Sequence, residues 1–233
     1  MEPTPHPETR AQSLLGLLIA GPAPSFGILS GLHWFPGPVG NVLYLIGKSV
    51  LYLTPLIWWK LVMRGAPFPV TRPPKGAMRE GILLGLGLGG LIVFLYWLIA
   101  LPHVDPAQLQ AAATKSGFGD KQSYLTMAVV ICLVNALLEE YVFRWFLYGR
   151  ARALLGPIKG AILGSLIFMA HHVFVLMAYF DWPLVLLGSF GVFVGGLLWT
   201  WLYERRGSVW PAYVSHILVD VALLGIGWSI LFG

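Results

Sequence analysis

Long apolar runs alternate with short polar connections along the whole chain. A membrane-spanning helix needs about 20 consecutive, mostly apolar residues. Seven segments meet this requirement: residues 12–32, 42–62, 81–101, 125–148, 158–180, 184–203 and 209–231. The pattern predicts an all-α, polytopic bundle of seven transmembrane helices. No linker divides the chain, so we treat residues 1–233 as one membrane domain.

The first segment is the least regular, because Gly21, Pro22 and Pro24 lie in its middle and proline removes a helix hydrogen bond. We expect it to be kinked, re-entrant or divided in two, which leaves an eighth membrane segment open. In the third segment, Gly81, Gly85 and Gly89 recur at every fourth position. Small residues at this spacing allow two helices to approach closely, so we expect them to pack against a neighbour.

Basic residues occur mainly in every second connection: Lys60, Arg64, Arg72, Lys75 and Arg79, then Arg150, Arg152 and Lys159, then Arg205 and Arg206. Such loops remain on the cytoplasmic side of a membrane. The sequence therefore predicts a multi-pass protein of the cell membrane with a cytoplasmic N-terminus. The net charge is +5, but with 57% hydrophobic and 11% charged residues this excess is a topology signal, and we expect no nucleic-acid partner.

Ionisable side chains in the second half of the chain interrupt the apolar runs at a few places: Glu139, Glu140, Arg144, His171, His172, His216 and Asp220. Such groups are costly in a membrane and mark functional sites by default. Glu140 and Arg144 are four residues apart and can pair on one helix face. Glu139 points about 100° away and is free to act as a general base.

His216 and Asp220 are also four residues apart, so Asp220 can orient the imidazole ring. At 1.5 Å per residue, Glu139 lies about 13 Å and His216 about 10 Å from the cytoplasmic ends of their segments. We therefore expect an active site in the cytoplasmic half of the membrane.

Three short motifs follow one another in this region: EExxxR from Glu139 to Arg144, FxxxH from Phe168 to His172, and HxxxD from His216 to Asp220. Together they resemble the signatures of the CPBP (Abi) family, which includes type II CAAX prenyl endopeptidases and bacteriocin-processing enzymes. The resemblance covers roughly residues 120–230.

The resemblance implies a glutamate-dependent intramembrane endopeptidase. Glu139 and His172 would activate water, and Glu140 and Arg144 would support their helix. His216 and Asp220 would position the oxyanion; the family often has Asn where this chain has Asp220, so we expect Asp220 to orient His216. The FxxxH spacing selects His172 over the adjacent His171. Substrates would be membrane proteins, lipidated peptides or C-terminal membrane tails.

Several alternatives remain open at this point. We expect no cofactor, but Glu139, His172 and His216 are also a plausible zinc set. Cys132, seven residues before Glu139, is a candidate nucleophile if a base activates it. From another class, a transporter or an immunity-type membrane protein would use the buried Glu, His and Asp to relay protons or bind a ligand. The chain has no internal repeat of the kind common in transporters, which favours the enzyme.

Overall fold

The structure, a computed structural model, describes residues 8–35, 37–64 and 71–233. Its helices in chain order are α1 (Arg10–Trp34), α2 (Pro38–Leu61), α3 (Ala77–His103), α4 (Pro106–Lys115), α5 (Lys121–Leu155), α6 (Pro157–Leu176), α7 (Trp182–Arg206) and α8 (Trp210–Phe232). All except α4 are long and apolar enough to cross a membrane. The described ranges contain no strand and no eighth span, so the predicted all-α bundle of seven spans is confirmed. The prediction of a single domain covers the whole chain, including residues 1–7, 36 and 65–70, which lie outside the described residues.

The first span is interrupted where its prolines predict. An α-helix capped by Thr9 extends over Arg10–Ala20, a turn follows at Gly21 and Pro22, and helix resumes over Ala23–Ile28. The interrupted helix is nevertheless long and apolar enough, as a whole, to be one membrane span.

The fifth helix begins at a strong cap. Asp120 accepts hydrogen bonds from the backbone of Gln122 and Ser123 and from the Ser123 hydroxyl, and these bonds lower the pKa of its carboxyl group. Further along α5, wider π-helical turns at Val130–Asn135 and Tyr141–Tyr148 flank a short α-helical stretch, Ala136–Glu140. Irregular turns of this type are frequent at functional sites. In this helix they enclose the stretch that carries both motif glutamates.

Glycines of α3 bring this helix against α8. A Cβ atom added at Gly85 would lie 2.9 Å from Cα of Ser215, and one added at Gly89 would lie 3.3 Å from Cβ of Ala222. Gly81 packs on Pro211 in the same way, whereas Gly87 has no neighbour within 4 Å of such an atom. The close packing expected from the four-residue spacing is present, and it fixes the helix that carries His216.

Polar contacts gather the basic connections at one end of the bundle, which we call the basic end. Three side-chain pairs link them: Arg150 with Glu8 at 3.1 Å, Arg152 with Glu204 at 2.8 Å, and Arg206 Nε with Glu80 Oε2 at 2.7 Å. In addition, Thr71 Oγ1 donates to the Gly207 backbone carbonyl at 2.7 Å. Four segments therefore lie at the same end of the bundle, as the distribution of basic residues predicts. They are the beginning of the described chain, the start of α3, and the α5–α6 and α7–α8 connections.

Candidate active site

The predicted ion pair of α5 is present and lies in the protein interior. Arg144 Nε is 3.0 Å from Glu140 Oε2, and both side chains are fully buried. Nη1 of Arg144 also donates to the Gly196 carbonyl at 3.0 Å and to Thr200 Oγ1 at 2.9 Å. Because these two acceptors belong to α7, Arg144 ties the motif-bearing part of α5 to a second helix.

The ring of His216 is oriented by Glu140. Its Nδ1 lies 3.0 Å from Glu140 Oε1 and donates to this carboxylate. Asp220, which the four-residue spacing assigned to this role, approaches the other nitrogen, Nε2, at 3.7 Å, beyond hydrogen-bonding distance. The role assigned to Asp220 therefore stays a prediction, and the structure adds Glu140 as a second partner of His216. Sequence spacing could not identify it, because the Glu140–His216 contact joins two helices.

The indole of Trp199 covers one face of the His216 ring. The two rings stack with their centroids 4.2 Å apart and an interplanar angle of 17°. Nε1 of Trp199 donates to Ser215 Oγ at 2.9 Å, which fixes the indole. Neither residue was identified from the sequence, because a Trp and a Ser in an apolar helix carry no signal that separates them from ordinary packing residues.

Glu139 is buried between the histidines of α6 and α8. Its Oε1 lies 3.7 Å from His171 Nε2, and its Oε2 lies 3.9 Å from His216 Nε2. Nδ1 of His172 donates to the Phe168 carbonyl at 2.9 Å. A carbonyl can only accept, so in the neutral ring Nε2 of His172 carries the lone pair. Both His171 and His172 lie near Glu139. Their positions do not by themselves select one of them as the catalytic histidine, as the FxxxH spacing did.

A cluster of possible metal ligands differs from the predicted set. One ligand atom each from Glu139, His171 and His172 lie within 4.8 Å of one another, so His171 takes the place expected for His216. Two imidazoles and a carboxylate suit zinc with an open position for water. Zinc-binding histidines commonly donate their second N–H group, however, and Nδ1 of buried His171 has no partner among the described residues. The three ligand side chains suit zinc. Of the two histidines, however, only His172 donates its second N–H group to a partner, the Phe168 carbonyl.

Lys48 is a polar neighbour of this site that the sequence analysis missed. Its Nζ donates to Asn135 Oδ1 and to the Tyr52 hydroxyl, both at 3.2 Å, and the Tyr52 hydroxyl donates to the same Asn135 oxygen at 3.0 Å. Asn135 precedes Glu139 by one helical turn. The signal was available, because Lys48 interrupts the apolar run 42–62 just as Glu139 interrupts its own.

Cys132 is buried in α5, before the motif glutamates. A cysteine nucleophile needs an adjacent base to form the thiolate. Among the residues that the structure describes, no histidine is hydrogen-bonded to this thiol. The geometry gives the cysteine mechanism no support.

Comparison with known proteins bears on the same region. A family model described as type II CAAX prenyl endopeptidase Rce1-like matches residues 121–222. The resemblance to the CAAX protease family is confirmed. The match covers α5, α6, α7 and the first half of α8, with all three motifs, and it supports a membrane protease of this type. It gives the transporter and immunity-type alternatives no support. No curated protein and no solved structure matches the chain.

Proposed function

We propose that this Rce1-like protein hydrolyses a peptide bond of a membrane-anchored or lipidated substrate with water activated by Glu139 and His172. The observation that supports this best is the buried carboxylate of Glu139, set in a membrane-spanning helix with imidazole nitrogens of His171 and His216 at 3.7 and 3.9 Å. A desolvated carboxylate beside imidazoles is suited to proton transfer from water.

In the proposed reaction, Glu139 takes a proton from water while the water oxygen attacks the scissile carbonyl carbon. Nε2 of His172, with its lone pair free, accepts the second hydrogen of this water and orients it. The carbonyl oxygen becomes an oxyanion, which His216 stabilises by donating from Nε2 in its doubly protonated form. Glu140, which also pairs with Arg144, accepts from Nδ1 of that form, and the Asp220 carboxyl group lies 3.7 Å from Nε2. The C–N bond then breaks as Glu139 returns the proton to the leaving amine.

We assign the basic end to the cytoplasm by the positive-inside rule, with the N-terminus on the same side. His216 lies six residues into α8 from this end, or about 9 Å at 1.5 Å per residue. This supports a site in the cytoplasmic half of the membrane. We further propose that the reaction requires no cofactor, with zinc held by Glu139, His171 and His172 as the alternative.

The test is cleavage of a panel of prenylated C-terminal peptides and transmembrane tail peptides by the purified protein. Glu139→Gln and His172→Ala should each lose at least about 100-fold in kcat, the range for loss of an acid–base group. Cys132→Ala should retain activity. Matched controls are Glu204→Gln and His103→Ala, since both side chains are exposed and distant from the motifs in sequence. Undiminished cleavage by Glu139→Gln would end the assignment.

A further inference from the structure

The imidazole of His216 has to hold one orientation if it is to stabilise an oxyanion. A hydrogen-bond donor stabilises developing charge only when it is aimed at the atom that carries the charge. The contact of Nδ1 with Glu140, at 3.0 Å, restrains one atom of the ring, but a histidine side chain turns about two torsion angles. Asp220 and Glu139 add no hydrogen bond at Nε2, since they lie 3.7 and 3.9 Å away. The plane of the ring therefore needs a second restraint.

Trp199 of α7 supplies a contact of this kind. Its indole stacks on the imidazole of His216 with the ring centroids 4.2 Å apart and an interplanar angle of 17°. Both side chains are buried, so neither ring can tilt without displacing packed atoms. Phe168, the other aromatic neighbour of His216 in the described part of the chain, lies with its ring at 89° and 6.1 Å. Of these two rings, Trp199 is the one that lies parallel to the imidazole and determines its plane.

The indole is itself held by the residue next to His216. Trp199 Nε1 donates to Ser215 Oγ at 2.9 Å, and Ser215 is fully buried. An indole has a single N–H group, so this bond fixes how the indole is turned within its own plane. Trp201, two residues further along α7, is 52% exposed and contacts Arg205 instead. Burial and the bond to Ser215 separate Trp199 from the tryptophans that membrane proteins place at the membrane surface.

The indole also lies near the buried ion pair, because the guanidinium carbon of Arg144 is 5.8 Å from its ring centroid. Arg144 has hydrogen bonds to Gly196 and Thr200 that do not involve the indole. Loss of the indole therefore leaves the partners of Arg144 in place, whereas it removes the parallel partner of His216.

We propose that Trp199 is a positioning residue of the hydrolysis, which sets the plane of His216 so that Nε2 points to the oxyanion. This inference rests on the proposed peptidase function. Because the oxyanion forms only after attack on the carbonyl carbon, a misaimed donor weakens binding of the transition state and not binding of the substrate. Substitution of Trp199 should therefore change kcat and leave KM unaltered. A flat ring should preserve the function, because an aliphatic side chain fills space without defining a plane.

The test measures kcat and KM for a prenylated C-terminal peptide of the same panel. Trp199→Leu should lower kcat by about 10- to 100-fold, part of the loss expected on removal of an oxyanion donor, with KM within about twofold of the wild type. Trp199→Phe should retain kcat within about threefold, since a phenyl ring can stack on the imidazole. The matched control is Trp201→Leu, the same substitution at an exposed position of the same helix, which should behave like the wild type.

A double variant decides whether Trp199 acts through His216. His216→Ala alone should lower kcat by about 100- to 1,000-fold. Adding Trp199→Leu to it should lower kcat by less than about twofold more, because residues that act as a unit do not have additive effects. If Trp199→Leu does not fold, Ser215→Ala takes its place, since it releases the indole without removing it. Ser215→Ala should lower kcat by about 3- to 10-fold in the wild type and not at all in His216→Ala.

Three results would overturn the proposal. The first is an undiminished kcat in Trp199→Leu, and the second is an equal loss in Trp199→Leu and Trp199→Phe, which would mean that the size of the indole is needed and not a stacked ring. The third is a full further loss in the His216→Ala background, which would assign Trp199 to folding or to another part of the site. Cleavage by Glu139→Gln would instead reject the peptidase function itself. With Glu139→Gln inactive, any of the three results rejects the role of Trp199 alone.

Discussion

Glu140 uses its two carboxylate oxygens for two different motifs: Oε1 lies 3.0 Å from Nδ1 of His216 on α8, and Oε2 lies 3.0 Å from Nε of Arg144 on its own helix. Arg144 in turn binds the Gly196 carbonyl on α7. A single buried carboxylate thus connects α5, α7 and α8. Because Glu139 is the next residue in the chain, this network also fixes the position of the proposed catalytic base.

Substitution of Glu140 should therefore destabilise the fold strongly. Glu140→Leu leaves Arg144 as a buried charge without its carboxylate, and breaking a buried pair from one side costs about 3–5 kcal/mol. The double variant Glu140→Leu/Arg144→Met should lose less than the sum of the single losses. The measurement is thermal unfolding of the purified protein in detergent.

The exposed pair of Arg152 and Glu204 provides the control for this comparison of single and double variants, because its side chains are 53% and 37% exposed. Arg152→Met should change the free energy of unfolding by no more than about 1 kcal/mol, because water screens an exposed pair. A Glu140→Leu protein with the stability of the wild type would show that the buried network does not support the fold.

The adjacent histidines of α6 should differ in their effects on catalysis. His172 has a fixed tautomer through Phe168, whereas Nδ1 of His171 has no hydrogen-bond partner in the described part of the chain. We expect His172→Ala to lower kcat by at least about 100-fold and His171→Ala to lower it by about 10-fold, the smaller loss reflecting weaker support of Glu139. Steady-state cleavage by matched amounts of folded protein measures both. A larger loss in His171→Ala would exchange the roles of the two residues.

Contacts within one helix could be predicted from the sequence, but the identity of the helices that meet could not. Four-residue spacing identified the pair of Glu140 and Arg144, because helical geometry alone determines those neighbours. The same spacing identified the packing face of α3, but not that α8 packs on it. The bond from Glu140 to His216 depends on how α5 and α8 pack, as does the stacking of Trp199 on His216. Helix α4 was also missed, since ten residues of low hydrophobicity give no membrane signal. The sign available in the sequence was Asp105, a capping residue directly before a proline.

Removal of metal ions should leave the activity unchanged if Glu139 acts directly on water. We expect the same kcat and the same thermal unfolding temperature before and after dialysis against a strong chelator, and less than one equivalent of zinc per chain by elemental analysis. A zinc enzyme would lose activity on dialysis and regain it with added zinc. In that case, alanine at His171 should abolish zinc binding, because this residue belongs to the cluster of possible ligands.

The packing of α3 on α8 predicts a contrast between two glycines of the same helix. A side chain at Gly85 would collide with Leu218 and Ser215, the latter adjacent to His216, whereas one at Gly87 would meet nothing within 4 Å. Gly85→Leu should lower the free energy of unfolding by about 1–3 kcal/mol, the usual cost of overpacking. It should also lower kcat, because α8 can accommodate the side chain only by moving His216 relative to Glu139. Gly87→Leu should preserve both stability and activity, as measured by thermal unfolding and cleavage of the same peptide. Equal effects of the two substitutions would mean that α3 does not pack on α8 through this face.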